Sequence, residues 1–137
     1  MMPWLLFLFV GVFDFGFYAY ALIATQNAAR LFWWLHDKAA TSAASWARHA
    51  LRRYFTRGID LSDAASLKML AVEFGIDAGE AESVWSDPRW KARLKEVCDQ
   101  AVAHGVFGAP FFFVDGEPFW GNDRRAQIER WLESGPF

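Results

Sequence analysis

The sequence predicts a single α/β domain that is predominantly helical and carries a small, incomplete sheet. Two observations support this. Across residues 27–104, apolar side chains recur three and four positions apart, which is the period of an amphipathic helix. After Gly105 the pattern changes to two short apolar runs around Asp115-Gly116, which is typical of a β-hairpin. The 137 residues suit one domain over 1–137, with a helical part at about 27–104 and a strand-strand-helix part at about 106–133.

The composition excludes several classes of protein. Apolar residues make up 54% of the chain and charged residues 22%, which excludes disorder. A net charge of −2 argues against a nucleic-acid partner, which would require a basic surface. The single cysteine, Cys98, excludes an internal disulfide or a C-x-x-C pair and fits a cytoplasmic location. The histidines lack metal-ligand spacing, so no metal site is predicted.

Residues 1–24 carry one charge, Asp14, and allow two interpretations. The stretch is long enough for a membrane anchor if that charge is accommodated. Residues 5–13 are almost wholly apolar, as in a strand covered on both faces. No Lys or Arg precedes the run, which argues against a signal peptide. We favour the strand and expect no membrane association.

Five helices are predicted in order between residues 27 and 104. The first two cover about 28–36 and 43–56, and the second ends at Gly58. Ser62 is the predicted N-cap of the third, and Gly75 ends it. The expected core positions are Leu31, Phe32, Trp34 and Leu35 in the first helix, Ala47, Ala50, Leu51, Tyr54 and Phe55 in the second, and Leu67, Leu70, Ala71 and Phe74 in the third.

The fourth and fifth helices open on clear start signals. Asp77 with Glu80 resembles a capping box, and Asp87-Pro88 combines an N-cap with proline at the first helical position. Strands at 111–114 and 117–120 then flank Asp115-Gly116, because both residues tolerate the positive φ of a type I′ turn. Asn122 is predicted to cap a last helix at about 123–132.

Ala109 and Pro110 are the first candidate site. Proline cannot donate a hydrogen bond to a sheet and forces the preceding residue into an extended conformation. The N–H and C=O of Ala109 are therefore expected at a sheet edge, available to a peptide-like ligand. From the residues alone, the bond before Pro110 is expected to be trans, because most X-Pro bonds are trans. The aromatic residues nearby are either a ring-rich core or the wall of a small-molecule pocket.

Asn122 and Asp123 are the second candidate site. A helix N-terminus suits a carboxylate, and an adjacent aspartate suits an ammonium group, so the pair matches an amino-acid head group such as a γ-glutamyl moiety. The alternative is ordinary helix capping by Asn122 and compensation of the helix dipole by Asp123.

Four motifs occur in a fixed order over about residues 24–133. They are Ala24-Thr25-Gln26-Asn27-Ala28-Ala29-Arg30 through Trp34-Leu35-His36-Asp37, Tyr54-Phe55 with Gly58-Ile59-Asp60-Leu61-Ser62-Asp63, Gly105-Val106-Phe107-Gly108-Ala109-Pro110, and Phe119-Trp120-Gly121-Asn122-Asp123-Arg124. In this order they resemble one family, the 2-hydroxychromene-2-carboxylate isomerases, which group with the kappa-class glutathione transferases in the DsbA-like thioredoxin superfamily.

The resemblance implies a thioredoxin-like fold with a helical insertion and a cis bond before Pro110. It also implies glutathione as cofactor, with Ala109 and Pro110 against the backbone of the tripeptide and with Asn122 and Asp123 at its γ-glutamyl group. The implied reaction is the isomerisation of a hydroxychromene carboxylate in aromatic catabolism, with a serine hydroxyl holding the glutathione thiolate.

The sequence departs from the family where that serine is expected. Phe13-Asp14-Phe15-Gly16 leads directly to an aromatic run without Ser-Pro, as though a segment were deleted within the N-terminal region. The catalytic residue is therefore unknown. Three interpretations stay open: an isomerase of weak or no activity, a non-catalytic protein that binds glutathione or a peptide, and a truncated domain that needs a partner chain. The open sheet edge favours a homodimer.

Overall fold

The structure is a computed structural model, and it describes residues 25–136. The strand predicted at residues 5–13, and the anchor considered for 1–24, lie outside the described residues. The described part falls into two compact units, one ending at Val97 and the other beginning at Cys98. The single domain predicted over residues 1–137 stays a prediction.

All five predicted helices of the helical part are present. They are α1 (Gln26–Lys38), α2 (Ala40–Arg57), α3 (Ala64–Phe74), α4 (Ala78–Ser86) and α5 (Pro88–Ala103). The first unit holds α1 to α4 and the first residues of α5. No helix in the part of the chain that the structure describes is long and apolar enough to cross a membrane.

Aspartates begin three of these helices. Asp77 accepts hydrogen bonds from the N–H groups of Gly79 and Glu80, and Asp87 accepts one from the N–H of Arg89, as predicted. The prediction for α3 was wrong: the cap is Asp63, which accepts from the N–H of Ser66 at 2.8 Å. The predicted cap, Ser62, instead donates from its hydroxyl to Asp60, in a turn that precedes the helix.

The core of the first unit lies where α1 packs against α2 and α4. Trp46 is 1% exposed, and its indole N–H donates to the Ala28 carbonyl at 3.0 Å. Two predicted core positions were wrong. Trp33, rather than Trp34, is buried on α1, and Phe55 is 69% exposed near the end of α2. Adjacent tryptophans lie 100° apart around a helix, and a broad apolar stripe does not decide between them.

The second unit contains the predicted hairpin. Strands β1 (Phe111–Val114) and β2 (Glu117–Trp120) are antiparallel. Asp115 has a φ of 52° and Gly116 a φ of 87°, the positive values that a type I′ turn requires. These described strands and helices confirm the predominantly helical α/β class.

The last helix begins differently from the prediction. A 3₁₀ turn, Asn122–Arg124, precedes α6 (Arg125–Ser134). Asn122 was predicted as the N-cap, but Gly121 occupies that position and Asn122 is the first residue of the turn. Gly121 has a φ of 104°, which a residue with a β-carbon rarely adopts. The glycine therefore occupies the position before the turn, and the turn begins at Asn122. α6 packs on the hairpin through Phe119 and Trp131, whose ring centroids are 5.7 Å apart.

Candidate functional site

The open end of the hairpin brings the predicted site residues together. The N–H of Gly121 donates to the carbonyl of Pro110 at 3.0 Å, which extends the strand pairing one residue beyond Phe111 and Trp120. Ala109 and Pro110 therefore lie beside Asn122 and Asp123, although the two pairs come from separate stretches of sequence. We call these four residues, with Gly121, the hairpin mouth.

Ala109 presents its backbone at this mouth. The residue is exposed, and within residues 25–136 its N–H and C=O make no hydrogen bond. The bond between Ala109 and Pro110 is cis, so the trans bond expected from the residues alone was wrong and the one implied by the resemblance is confirmed. An extended peptide could pair with these two backbone groups in the way that a strand is added to a sheet.

Asp123 places a negative charge at the mouth. Its side chain is 78% exposed, and its nearest cation is Arg124, with Nε 3.8 Å from Oδ2. The carboxylate turns back over Gly121, where an added β-carbon would overlap Oδ1 and push the exposed side chain of Asp123 aside. In the described part of the chain, the N–H groups of Asn122 and Asp123 have no acceptor. The mouth thus offers a carboxylate for a cation and two N–H donors for an anion.

Aromatic side chains flank the mouth. The Phe107 ring centroid lies 5.1 Å from that of Trp120 and 5.5 Å from that of Phe111. We call these three residues the aromatic ledge. Phe107 is 72% exposed and Trp120 53% exposed, so this group is a surface rather than a closed core. A β-carbon at Gly108 would lie 2.6 Å from the Trp120 indole nitrogen, so glycine is needed for the indole to pack there.

The other candidate groups carry structural interactions. His49 lies 3.8 Å from Glu73, which also binds Arg53 at 2.9 Å. Burial, followed by the nearby Asp99 carboxylate, raises the pKa of the Cys98 thiol, which makes it a poor nucleophile. Among residues 25–136, no group of three His, Cys, Asp or Glu side chains is arranged to hold a metal ion.

A second concave surface, in the first unit, was not found from the sequence. It has a volume of about 480 Å³ and is lined by three cationic and three apolar residues. We call it the basic groove, and its residues are Arg30, Pro88, Lys91, Ala92, Leu94 and Lys95. Arg30 and Lys91 are far apart in the sequence, and no motif contains both, so no sequence signal pairs them.

Comparison with known proteins gives a consistent picture. The family model of the DSBA-like thioredoxin domain matches residues 12–133. The chain is 34% identical over 98 residues to a 2-hydroxychromene-2-carboxylate isomerase of Sphingobium xenophagum; the match covers 72% of this chain and 50% of the relative. The chain thus spans about half the length of this curated relative.

A solved structure of 2-hydroxychromene-2-carboxylate isomerase, in its selenomethionine form, is also similar. The TM-score is 0.73 with 22% sequence identity, and the match covers 90% of this chain and 57% of that protein. With the family match, this likeness confirms the DsbA-like thioredoxin fold that the resemblance implied.

Proposed function

The chain belongs to the family of DSBA-like thioredoxin domains, and on that premise we propose that it is a glutathione-dependent, isomerase-like protein. Its substrate would be 2-hydroxychromene-2-carboxylate or a related intermediate of aromatic catabolism, by analogy with the relative that is 34% identical. One observation carries the proposal. The hydrogen bond between Gly121 and Pro110 brings the backbone of Ala109, which makes no hydrogen bond within residues 25–136, to the same end of the hairpin as Asp123.

The mouth has the groups that a γ-glutamyl tripeptide requires. The peptide backbone of glutathione would pair with the N–H and C=O of Ala109. The α-ammonium group would bind Asp123, and the α-carboxylate would accept from the N–H groups at the start of the 3₁₀ turn. Each charge of the head group thus has a partner of opposite sign within a few residues of the chain.

The aromatic ledge supports an aromatic substrate. The exposed rings of Phe107 and Trp120 offer faces and edges on which a flat aromatic acid can stack. Glutathione, when bound, would supply the thiol that adds reversibly to such a substrate. The residues of the chain would hold the tripeptide and the ring in register, which lowers the entropic cost of the addition.

A second function, binding without turnover, is favoured by a specific observation. A thiol nucleophile needs a nearby group that stabilises its thiolate. The five residues of the hairpin mouth include no serine, threonine or other hydroxyl. A chain that holds glutathione or a peptide without activating the thiol would then serve as a binding protein.

Thermal unfolding with reduced glutathione tests both functions. A ligand that binds only the folded state, at about 100 times its Kd, stabilises the protein by about 2.7 kcal/mol. We expect a higher Tm for the unchanged protein and no rise for Asp123→Asn, while Glu133→Gln on α6 behaves like the unchanged protein. No rise at millimolar glutathione would contradict both the isomerase and the glutathione-binding protein. A rise without isomerase turnover would support the binding protein.

The cytoplasmic location and the homodimer belong to the same proposal. Cys98 is free, so the described fold requires no oxidising compartment. Within the described residues β1 pairs only with β2, and a second copy could add a strand at its other edge. Light scattering behind size exclusion measures the mass directly, and a monomer at high micromolar concentration would contradict the dimer.

A further inference from the structure

We propose that a cleft between α1, α4 and the start of α5 is a binding site for a small quaternary ammonium ion, and that the chain's own Lys38 competes for it. The cleft has a volume of about 350 Å³, which suits a small molecule. All its residues belong to the first unit, so the inference is independent of the glutathione proposal. We call it the tryptophan cleft, because its lining includes two indoles together with three carboxylates: Trp34, Trp90, Asp37, Glu80 and Asp87.

The cleft already holds a cation that belongs to the chain. Trp34 and Lys38 lie one turn apart on α1, and the ammonium nitrogen of Lys38 is 3.6 Å from the centroid of the Trp34 ring. Glu80 of α4 approaches the same ammonium group, with Oε1 3.7 Å from Nζ. A ring face and a carboxylate that converge on one point are the groups that recognise an organic ammonium ion. Two helices thus build the geometry of a cation site.

Lys38 is held at this point only weakly. Its side chain is 56% exposed and that of Glu80 is 51% exposed, so their ion pair is screened by solvent and contributes little. The lysine stem is flexible, and its ammonium group is strongly hydrated in water. Lys38 can therefore leave the Trp34 ring for solvent at small cost. A quaternary ammonium ion can take its place, because methyl groups contact the ring directly and the charge remains at every pH.

The lining stays negative when Lys38 leaves the cleft. Arg89 is committed to Asp87, with Nη2 2.6 Å and Nε 2.9 Å from Oδ2. Asp37 has no lysine or arginine within ion-pair distance in the part of the chain that the structure describes, and the nearest basic nitrogen is Nδ1 of His36 at 3.8 Å. Asp37 and the carboxylate that faces Lys38 then attract a cation from solvent.

Trp90 gives the cleft a second aromatic wall. It is half-buried near the start of α5, so part of its indole remains accessible in the cleft. Indole is the side chain whose ring attracts cations most strongly, and its surface also contacts methyl groups. Two indoles therefore favour an organic cation over a hydrated metal ion.

Calorimetric titration of the full chain with choline chloride, at constant ionic strength, tests the site. The neutral control is the alcohol in which a carbon atom replaces the nitrogen of choline, because it has the same shape without the charge. We expect saturable binding of choline in the millimolar range and about tenfold weaker binding of the neutral alcohol. Trp34→Leu and Glu80→Gln should each raise the Kd for choline about fivefold.

Lys38→Gln is the decisive variant. It removes the competitor and keeps both the ring and Glu80, so it should lower the Kd for choline about threefold. Lys68→Gln is the matched control. It makes the same charge change in another lysine–glutamate pair, with Glu82 at 2.7 Å and outside the cleft, and it should leave the Kd unchanged.

Several results would overturn the proposal. These are the absence of choline binding in both the unchanged protein and Lys38→Gln, binding of the neutral alcohol as tight as that of choline, and an unaltered or higher Kd in Lys38→Gln. A change of the Kd in Asp123→Asn would move the cation to the hairpin mouth and would also overturn it. Because Lys38 and Glu80 are exposed, their variants decide the matter even if Trp34→Leu fails to fold.

Discussion

The indole nitrogen of Trp131 lies 3.0 Å from Oδ2 of Asp115, so α6 is hydrogen-bonded to the turn of the hairpin. Asp115 therefore has two roles: it adopts the positive φ of the type I′ turn, and its carboxylate accepts from a helix that begins ten residues later. The Asp-Gly dipeptide predicts the turn of the hairpin, but it does not predict the hydrogen bond that Asp115 accepts from Trp131.

Asp115→Ala should lower the free energy of unfolding by about 2 kcal/mol. The variant loses the hydrogen bond from Trp131 and places a β-carbon in the left-handed region without a compensating polar group. Urea denaturation followed by circular dichroism measures the loss. Asp115→Asn is the matched control, since asparagine tolerates the same φ and keeps an acceptor; a loss as large as that of alanine would contradict this account.

Trp46→Phe should lower the free energy of unfolding by about 3 kcal/mol. Trp46 is almost fully buried and donates to the Ala28 carbonyl, so the smaller ring leaves both a cavity and a missing donor. Trp34→Phe, at a half-exposed position on α1, should cost less than about 1 kcal/mol. Equal losses for the two variants in thermal unfolding would contradict the burial described for them.

Asp63→Asn should flatten the acid dependence of stability. Hydrogen bonds from the Ser66 N–H, and then from its side chain, lower the pKa of Asp63 below its ordinary value of 3.8. A carboxyl with a lowered pKa in the folded state stabilises the protein above the unfolded-state pKa, and the stability is lost as the pH falls through the lower folded-state value. Asparagine keeps the helix cap but does not titrate.

The measurement is Tm from pH 7 down to pH 2 for the unchanged protein and for Asp63→Asn. The two proteins should unfold at similar temperatures at pH 7, and the variant should lose less stability on acidification. Asp60→Asn offers a comparison, because hydrogen bonds from Ser62 lower the pKa of Asp60 in the same direction. Parallel curves for all three proteins would refute a contribution from these carboxylates.

Gly108→Ala should displace the Trp120 indole and weaken binding of aromatic ligands at the ledge. The added β-carbon would meet the indole nitrogen at 2.6 Å, and the half-exposed ring is free to move away. We expect a change in tryptophan emission and about a tenfold loss of affinity for an aromatic acid, with a small change in Tm. Ala103→Ser on α5, outside the ledge, controls for substitution in general, and an unaltered affinity in Gly108→Ala would contradict the role of the ledge.

The sequence predicted those parts of the fold that local chemistry determines. Asp87-Pro88 and Asp115-Gly116 each act within a few residues, and the structure has a helix start and a hairpin turn at these places. Errors occurred where tertiary packing decides between similar neighbours. Ser62 and Asp63 are both residue types that favour the N-cap position. Ser62 is held in the preceding turn by the hydrogen bond from its hydroxyl to Asp60, and Asp63 caps the helix.

The candidate sites divide in the same way. The hairpin mouth is predictable because strand register follows from a two-residue turn, which sets Pro110 opposite Gly121. The cis bond before Pro110 was reached only through the resemblance, since nothing in Ala-Pro itself requires it. The basic groove depends on the packing of α1 and α4 around Arg30, which no pattern of spacing encodes.

The hairpin mouth and the aromatic ledge are made entirely from residues 107–123, and α6 follows directly to hold the turn in place. Because all of these residues are close together in the sequence, the geometry of the surface depends on one tight turn and its two short strands. A single substitution that shifts the strand register would therefore displace every group of the mouth and the ledge together.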